Sequence, residues 1–324
     1  MESKRCSSSR QPIKKFPHNV GIFLFRLFIY VFSMSIFDKL AEEADLFMKT
    51  AIVTDSTSYL PKETLELLDI HTVSLEVIFG NESFKEADLT EEEFYRKARE
   101  EFPKTSQPPI GEFVELYDQL SANHDEIVAI HLSSGISGTY AGSIQAAEMV
   151  DGVKVYSFDS ELTCALQGFY AVKAAEMARD GAGAQAILAE LHEMKKTLRA
   201  YFMVEDLKHL QRGGRLSSAQ ALVGGMLQIK PILHFENKII VPFEKIRTRK
   251  KAMNRIVELL KDASKGDKKL KATIIHANRL EEAKQWEKEL EMTCPLVDFE
   301  ISCFGPVIGT HLGEGAMGLG WVEK

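Results

Sequence analysis

Six glycines fall within residues 304–321, FGPVIGTHLGEGAMGLGW, and this stretch constrains the fold more than any other. A flexible linker would be polar, but here Val307, Ile308, Leu312, Met317, Leu319 and Trp321 alternate with the glycines. Such a pattern belongs to backbone that approaches another element closely while staying buried. The one histidine in the stretch, His311, is then either a core residue with satisfied hydrogen bonds or a functional one. The stretch also contains a literal G-x-G-x-x-G at 313–318. A dinucleotide fingerprint opens a helix within a βαβ unit and needs an acidic residue about twenty positions on. Only six residues remain after Gly318, so that match is accidental. No G-x-x-x-x-G-K-[ST] occurs, and nothing in the chain calls for an ATP site or other cofactor.

The chain has 324 residues, 45% hydrophobic and 27% charged, which is soluble composition and, at roughly 150 residues per domain, suggests two domains. The net charge is −7, and the first 47 residues carry seven Lys/Arg against five Asp/Glu, which leaves −9 on the rest. That balance argues against nucleic acid as a partner. Cys6, Cys164, Cys294 and Cys303 are scattered, with no C-x-x-C and no histidine at ligand spacing. Neither a metal site nor a disulfide framework is indicated, and a reducing cytoplasm is expected. Residues 1–47 stand apart: a basic start precedes an apolar run at 20–37 that is interrupted by Arg26 and followed by no small-x-small cleavage site. They read as an upstream extension, with Met34 or Met48 as the initiator, or as a membrane-associated segment.

From residue 48 onward, apolar strands alternate with amphipathic helices, which predicts an α/β fold beginning with a largely parallel sheet. Strands are expected at 51–53, 72–79, 82–85, 126–131 and 154–158, and helices at 90–101, 111–120, 140–149, 165–178 and 184–198. Thr90 and Glu93 have capping-box spacing. After residue 198 the character changes, with antiparallel strands at 229–235 and 238–243 joined by Glu236-Asn237, so a domain boundary is placed there. A helix at 252–261, a strand at 272–276, a helix at 280–290 and a strand at 297–303 then lead into the glycine-rich stretch.

Three segments carry candidate chemistry. Lys104-Thr105-Ser106-Gln107-Pro108-Pro109 sets two hydroxyls before a proline-locked turn, which serves equally well to start a helix. Ser133-Ser134-Gly135-Ile136-Ser137-Gly138-Thr139 joins a strand to a helix and offers backbone N–H groups and hydroxyls at a helix N-terminus, as an anion site would, although tight-turn chemistry also accounts for it. Residues 245–251, KIRTRKK, form the strongest basic cluster, either a solvated helix face or a docking site for an acidic or phosphate-bearing partner. A hydrolase or transferase using Ser134, Ser137 or Ser160 is the alternative, but Gly135-Ile136-Ser137-Gly138-Thr139 fails the G-x-S-x-G elbow at its last position.

Taken in order, TDSTS at 54–58, TSQP at 105–108, SSGISGTYAGS at 133–143, Asp159-Ser160, GGR at 213–215, KPIL at 230–233 and GPVIGTHLGEGAMG at 305–318 resemble the DegV family of bacterial fatty-acid-binding proteins. Glu314 stands where the family often has proline, and Pro109 where it often has serine. The resemblance implies two α/β domains, 48–198 and 199–324, the first with a largely parallel sheet flanked by helices and the second with a mixed or antiparallel sheet, holding a ligand tunnel between them. It implies that Thr105, Ser106, Ser134, Ser137 and His311 grip the carboxylate of a long-chain fatty acid. Such proteins are non-catalytic carriers that present the acid to a separate ATP-dependent fatty acid kinase, which makes an acyl phosphate for phospholipid synthesis. Arg247 would help to dock that kinase, and transient membrane contact fits such a cargo. A lipid sensor without a kinase would share every one of these binding residues.

Overall fold

A computed structural model of the chain describes residues 49–216, 230–266 and 268–324. The expected extension at 1–47, including Cys6 and both readings of its apolar run, lies outside the described residues. Residues 48–324 form one compact unit. No helix among the described residues is long and apolar enough to cross a membrane.

The first strand, β1 (Thr50–Asp55), runs through the short helix α1 (Lys62–Leu67) into β2 (Ile70–Val73), its parallel neighbour. The expected single strand at 72–79 is in fact two. Thr72 pairs with Thr54 in the parallel sheet, whereas Val77 of β3 (Glu76–Phe79) pairs antiparallel with Phe84 of β4 (Glu82–Lys85) and with Thr105 of β5 (Lys104–Ser106). Val73 and Leu75 are both buried on either side of the break, so the apolar run gives no sign of it. Between β4 and β5, helix α2 (Glu91–Glu100) is closed at its start by the Thr90–Glu93 capping box that the spacing predicts. Helix α3 (Ile110–Ser121) then leads to β6 (Glu126–His131), and α4 (Thr139–Ala147) to β7 (Lys154–Asp159). The resulting parallel sheet has the order β2-β1-β6-β7.

Helices bury both faces of this sheet, which is why its strands read as continuous apolar runs. Ala51, Val53, Ile127 and Ala129 pack with Phe113 and Tyr117 on one side. Ile52, Val128 and Ile130 pack on the other with Phe169, Tyr170 and Ala174 of α5 (Ala165–Arg179), beside α6 (Ala184–Thr197).

The second sheet is mixed and six-stranded. It comprises β8 (Arg199–Met203), β9 (Ile232–Glu236), β10 (Ile239–Glu244), β11 (Leu270–His276), β12 (Val297–Cys303) and β13 (Met317–Glu323), in the order β10-β9-β8-β13-β11-β12. The β9–β10 hairpin turns at Asn237-Lys238, with φ of 49° and 72°, rather than at Glu236-Asn237. Asparagine tolerates the left-handed region such a turn demands. The short helix α7 (Lys208–Arg212) follows β8, while α8 (Arg249–Ala263) and α9 (Leu280–Thr293) cover the face carrying Ala272, Ile274 and Trp321.

The glycine-rich stretch forms α10 (Pro306–Leu312) and β13, the latter inside the second sheet. A Cβ on Gly320 would lie 2.5 Å from Leu166 of α5, so glycine is what lets a helix of the first sheet rest on a strand of the second. Val322 of the same strand packs into the core of the first sheet.

Candidate functional site

Loops and short elements from distant parts of the sequence enclose a cavity of about 330 Å3. Most of its wall is apolar, including Leu132, Leu166, Phe202, Phe235, Ile275 and Phe304. The polar lining comprises Thr105, Ser106, Gln107, Ser137, Arg215 and His311, together with Thr163 and Tyr201. Among the described residues no acidic side chain lines it. Cys164 forms part of the wall in a conformation usually left to glycine (φ 60°, ψ −156°), and burial pushes its thiol well above the ordinary range.

His311 sits in the last turn of α10 with Nε2 2.9 Å from the Thr105 hydroxyl, 206 residues away in sequence. Burial, and then the positive charge of Arg215 and His209, hold its pKa down to about 3, so the imidazole is neutral at physiological pH. With Nε2 protonated, Thr105 accepts from the ring and its own hydroxyl hydrogen is free for a ligand oxygen. In the other tautomer Thr105 donates to Nε2. His311 Nδ1 is buried and has no hydrogen-bond partner among the described residues. A Cβ on Gly213 would collide with that nitrogen, so the GGR segment must carry glycine there to accommodate the ring.

Arg215 also lines the cavity, a role that the GGR segment does not announce in sequence. Its Nε donates to Ile136 O at 3.0 Å and its Nη1 to Gly213 O at 2.5 Å, which ties the 133–137 loop to the turn behind His311. Burial lowers its pKa somewhat, but guanidinium stays charged. Gln107 lines the cavity too, and a Cβ on Gly138 would collide with its amide oxygen. Only tertiary approach, of 107 to 138 and of 215 to 136, gives the two residues away.

The other expected positions divide. Ser106 lines the cavity while donating to Glu76 at 3.0 Å, and Ser137 lines it with its hydroxyl 2.9 Å from that of Thr139. Ser134 does not line it: its hydroxyl and its N–H both go to Asp159, at 2.5 and 3.1 Å. The loop that resembles an anion site therefore turns part of its donor set onto the chain's own carboxylate. Ser160 donates to Leu162 O at 3.1 Å, and among the described residues none of Ser134, Ser137 and Ser160 is hydrogen-bonded to a histidine. The basic run divides as well. Thr248 caps α8, Arg249 turns inward to Glu205, Glu282 and Gly315 O, and Arg247 stays exposed beside exposed Lys245, Lys250 and Lys251.

Two buried acids brace the site. Glu86, 4% exposed, accepts from Ser56 at 2.5 Å, from Tyr59 at 2.8 Å and from the N–H of Val307 at 2.8 Å, where α10 begins. Burial pushes its pKa up to about 7, against the opposing pull of these hydrogen bonds. Asp55, at the end of β1, accepts from His131 Nδ1 at 3.1 Å, from Leu132 N at 2.9 Å and from the Thr57 hydroxyl at 2.6 Å. Burial alone would raise Asp55, but the bonds from His131, Thr57 and Leu132 hold it below the usual carboxylate range.

The family described as "Uncharacterised protein, DegV family" matches residues 49–324. The chain belongs to the DegV family. Protein DegV of Bacillus subtilis is 57% identical over 282 residues, which cover 86% of this chain and 100% of that relative. The crystal structure of DegV, a fatty acid binding protein from Bacillus subtilis, superposes with a TM-score of 0.82 at 55% identity, covering 86% of this chain and 100% of that one. A fatty-acid-binding DegV family protein from Thermus thermophilus gives 0.78 at 28% identity, covering 86% and 100%. A stearic acid-binding protein from Eubacterium ventriosum gives 0.78 at 25% identity, covering 85% and 98%. Glu314 forms a two-pronged ion pair with Arg99 of α2 at 3.0 and 2.8 Å, and Pro109 is the residue before α3.

Proposed function

We propose that this DegV family protein binds a long-chain fatty acid in the 330 Å3 cavity, with the carboxylate at Thr105, Ser106, Ser137 and His311 and with Arg215 as the compensating charge. The observation that carries this reading is an apolar cavity whose polar lining holds hydroxyls, a neutral histidine and a guanidinium but, among the described residues, no acid. A carboxylate entering it loses water and gains charge-assisted hydrogen bonds, whereas a cation finds no counter-charge. Fatty-acid binding by the structural relatives supports the same occupant. Burying a sixteen-carbon tail at about 0.8 kcal/mol per methylene gives about 12 kcal/mol, against association costs of about 4–15 kcal/mol. The tail therefore supplies most of the affinity and the polar end supplies selectivity for acids. On this reading the two sheets act as two halves, dividing near residue 198, with the ligand between them. Ser134 contributes through Asp159, by holding the loop that carries Ser137.

The chain acts in the cytoplasm as a carrier for a separate ATP-dependent kinase. A carboxylate oxygen attacks the γ-phosphorus of ATP held by that kinase, a C–O–P linkage forms, the bond to ADP breaks, and acyl phosphate and ADP leave. Exposed Arg247 with its lysine neighbours is a docking patch suited to an acidic face. Native mass spectrometry of the purified protein, followed by extraction, should release one long-chain fatty acid per chain. A protein that is empty and takes up no added fatty acid would sink the reading. Arg247→Ala should keep lipid affinity but slow acyl phosphate formation with the kinase, measured as ADP release. Loss of lipid affinity instead would make the segment structural.

A further inference from the structure

A second cavity, of about 370 Å3, adjoins the first. Leu162, Ala200, Tyr201 and Phe235 line both, so the two share a wall. None of the polar residues assigned to the carboxylate lines the second cavity, although Tyr201 borders both. The decisive one is Tyr170 on α5, which is 0% exposed and whose hydroxyl has no hydrogen-bond partner among the described residues. Its ring packs edge-on against Phe158, with centroids 5.3 Å apart. A buried donor left unpaired is costly, so a position like this is expected to meet a ligand or solvent oxygen.

The cations around it sharpen the chemistry. Lys195 is paired with Glu161 at 3.0 Å and Lys238 with Asp159 at 3.0 Å. Arg199 donates to Leu198 O at 2.8 Å and has no acidic partner among the described residues. Its charge reaches Tyr170, where it works against the upward push of burial and Glu161 on the phenol.

We propose that the second cavity is a distal polar subsite, which receives a hydroxyl or carboxylate borne at the far end of an acyl chain whose own carboxylate lies at Thr105 and His311. The ligand class is long-chain ω-hydroxy and α,ω-dicarboxylic acids. Tyr170 donates to the distal oxygen, and Arg199 supplies charge when that group is a carboxylate. A plain alkyl end leaves the Tyr170 hydroxyl without a partner among the described residues. The inference rests on reading the first cavity as a fatty-acid site.

The test is a fluorescent displacement titration of the full chain with hexadecanoic, 16-hydroxyhexadecanoic and hexadecanedioic acids. It compares wild type with Tyr170→Phe, which removes one oxygen and keeps the ring packing, and with Arg199→Gln. Tyr170→Phe should weaken the hydroxy acid about tenfold and change hexadecanoic acid by less than about twofold. Arg199→Gln should weaken the dicarboxylic acid more than the hydroxy acid. If wild type takes hexadecanoic acid but rejects both oxygenated acids, or if Tyr170→Phe weakens all three alike, the distal subsite is wrong while the fatty-acid reading stands. If hexadecanoic acid itself fails to bind, that reading falls and the subsite with it.

Discussion

At the carboxyl edge of the first sheet, His131 bonds through Nδ1 to Asp55, and both side chains are 0% exposed. At the cavity, His311 has a threonine hydroxyl at 2.9 Å, a guanidinium nearby and no carboxylate partner among the described residues. The first arrangement is closed: Asp55 also takes the Leu132 N–H and the Thr57 hydroxyl, so its charge is consumed inside the fold. The second is open, with Arg215 lining a cavity that has no acid among the described residues. On the proposed reading, what separates a structural histidine from a ligand-binding one is whether the protein supplies the negative charge itself.

The largest expected effect lies on the closed side. Asp55→Ala strips His131, Leu132 N and Thr57 of their acceptor and should destabilise the protein by about 3–5 kcal/mol in urea unfolding. A loss below about 1 kcal/mol would mean that the pair is not structural. Next comes Glu86, which connects Ser56 and Tyr59 to the start of the helix carrying His311. Its folded pKa of about 7 lies above the ordinary 4.5, so the native state binds the extra proton and stability falls as pH rises from about 4.5 to about 7. The loss is about 3 kcal/mol across that window, and Glu86→Gln should abolish it. An unchanged slope in the variant would assign the pH dependence elsewhere.

Effects on the open side should appear in binding rather than folding. His311→Ala and Arg215→Gln should each weaken hexadecanoic acid by about tenfold, near 1.4 kcal/mol, with unfolding midpoints little changed. Equal affinity in both would remove the headgroup assignment. The smallest effect is expected for Ser134→Ala, which loses a bond to Asp159 and about 1 kcal/mol of stability but shifts affinity by less than about threefold. A tenfold fall there would return Ser134 to the ligand.

Much of the first half was legible because its signals are local. Thr90 and Glu93 cap α2 as their spacing requires, and the buried strands at 50–55 and 126–131 announce a parallel sheet covered on both faces. The break between β2 and β3 left no trace, because burial on both sides of Ser74 keeps the run apolar. For the site, Thr105, Ser106, Ser137 and His311 were named from their motifs and do line one cavity. Arg215 and Gln107 lay inside noted motifs without a visible task, since their contacts run to residues 136 and 138 across the fold.

The amino-acid order by itself determined the helices, the parallel sheet and the burial of a glycine-rich tail, because periodicity, caps and glycine density act over a few residues. Tertiary structure decided that the tail would be a strand inside the second sheet, that Gly320 would carry a helix of the first, and that Thr105 would meet His311 across 206 positions. It also decided which serine faces the cavity and which faces Asp159. Desolvation and hydrogen-bond partnership depend on what lies across the fold, and one stretch of sequence does not contain that information.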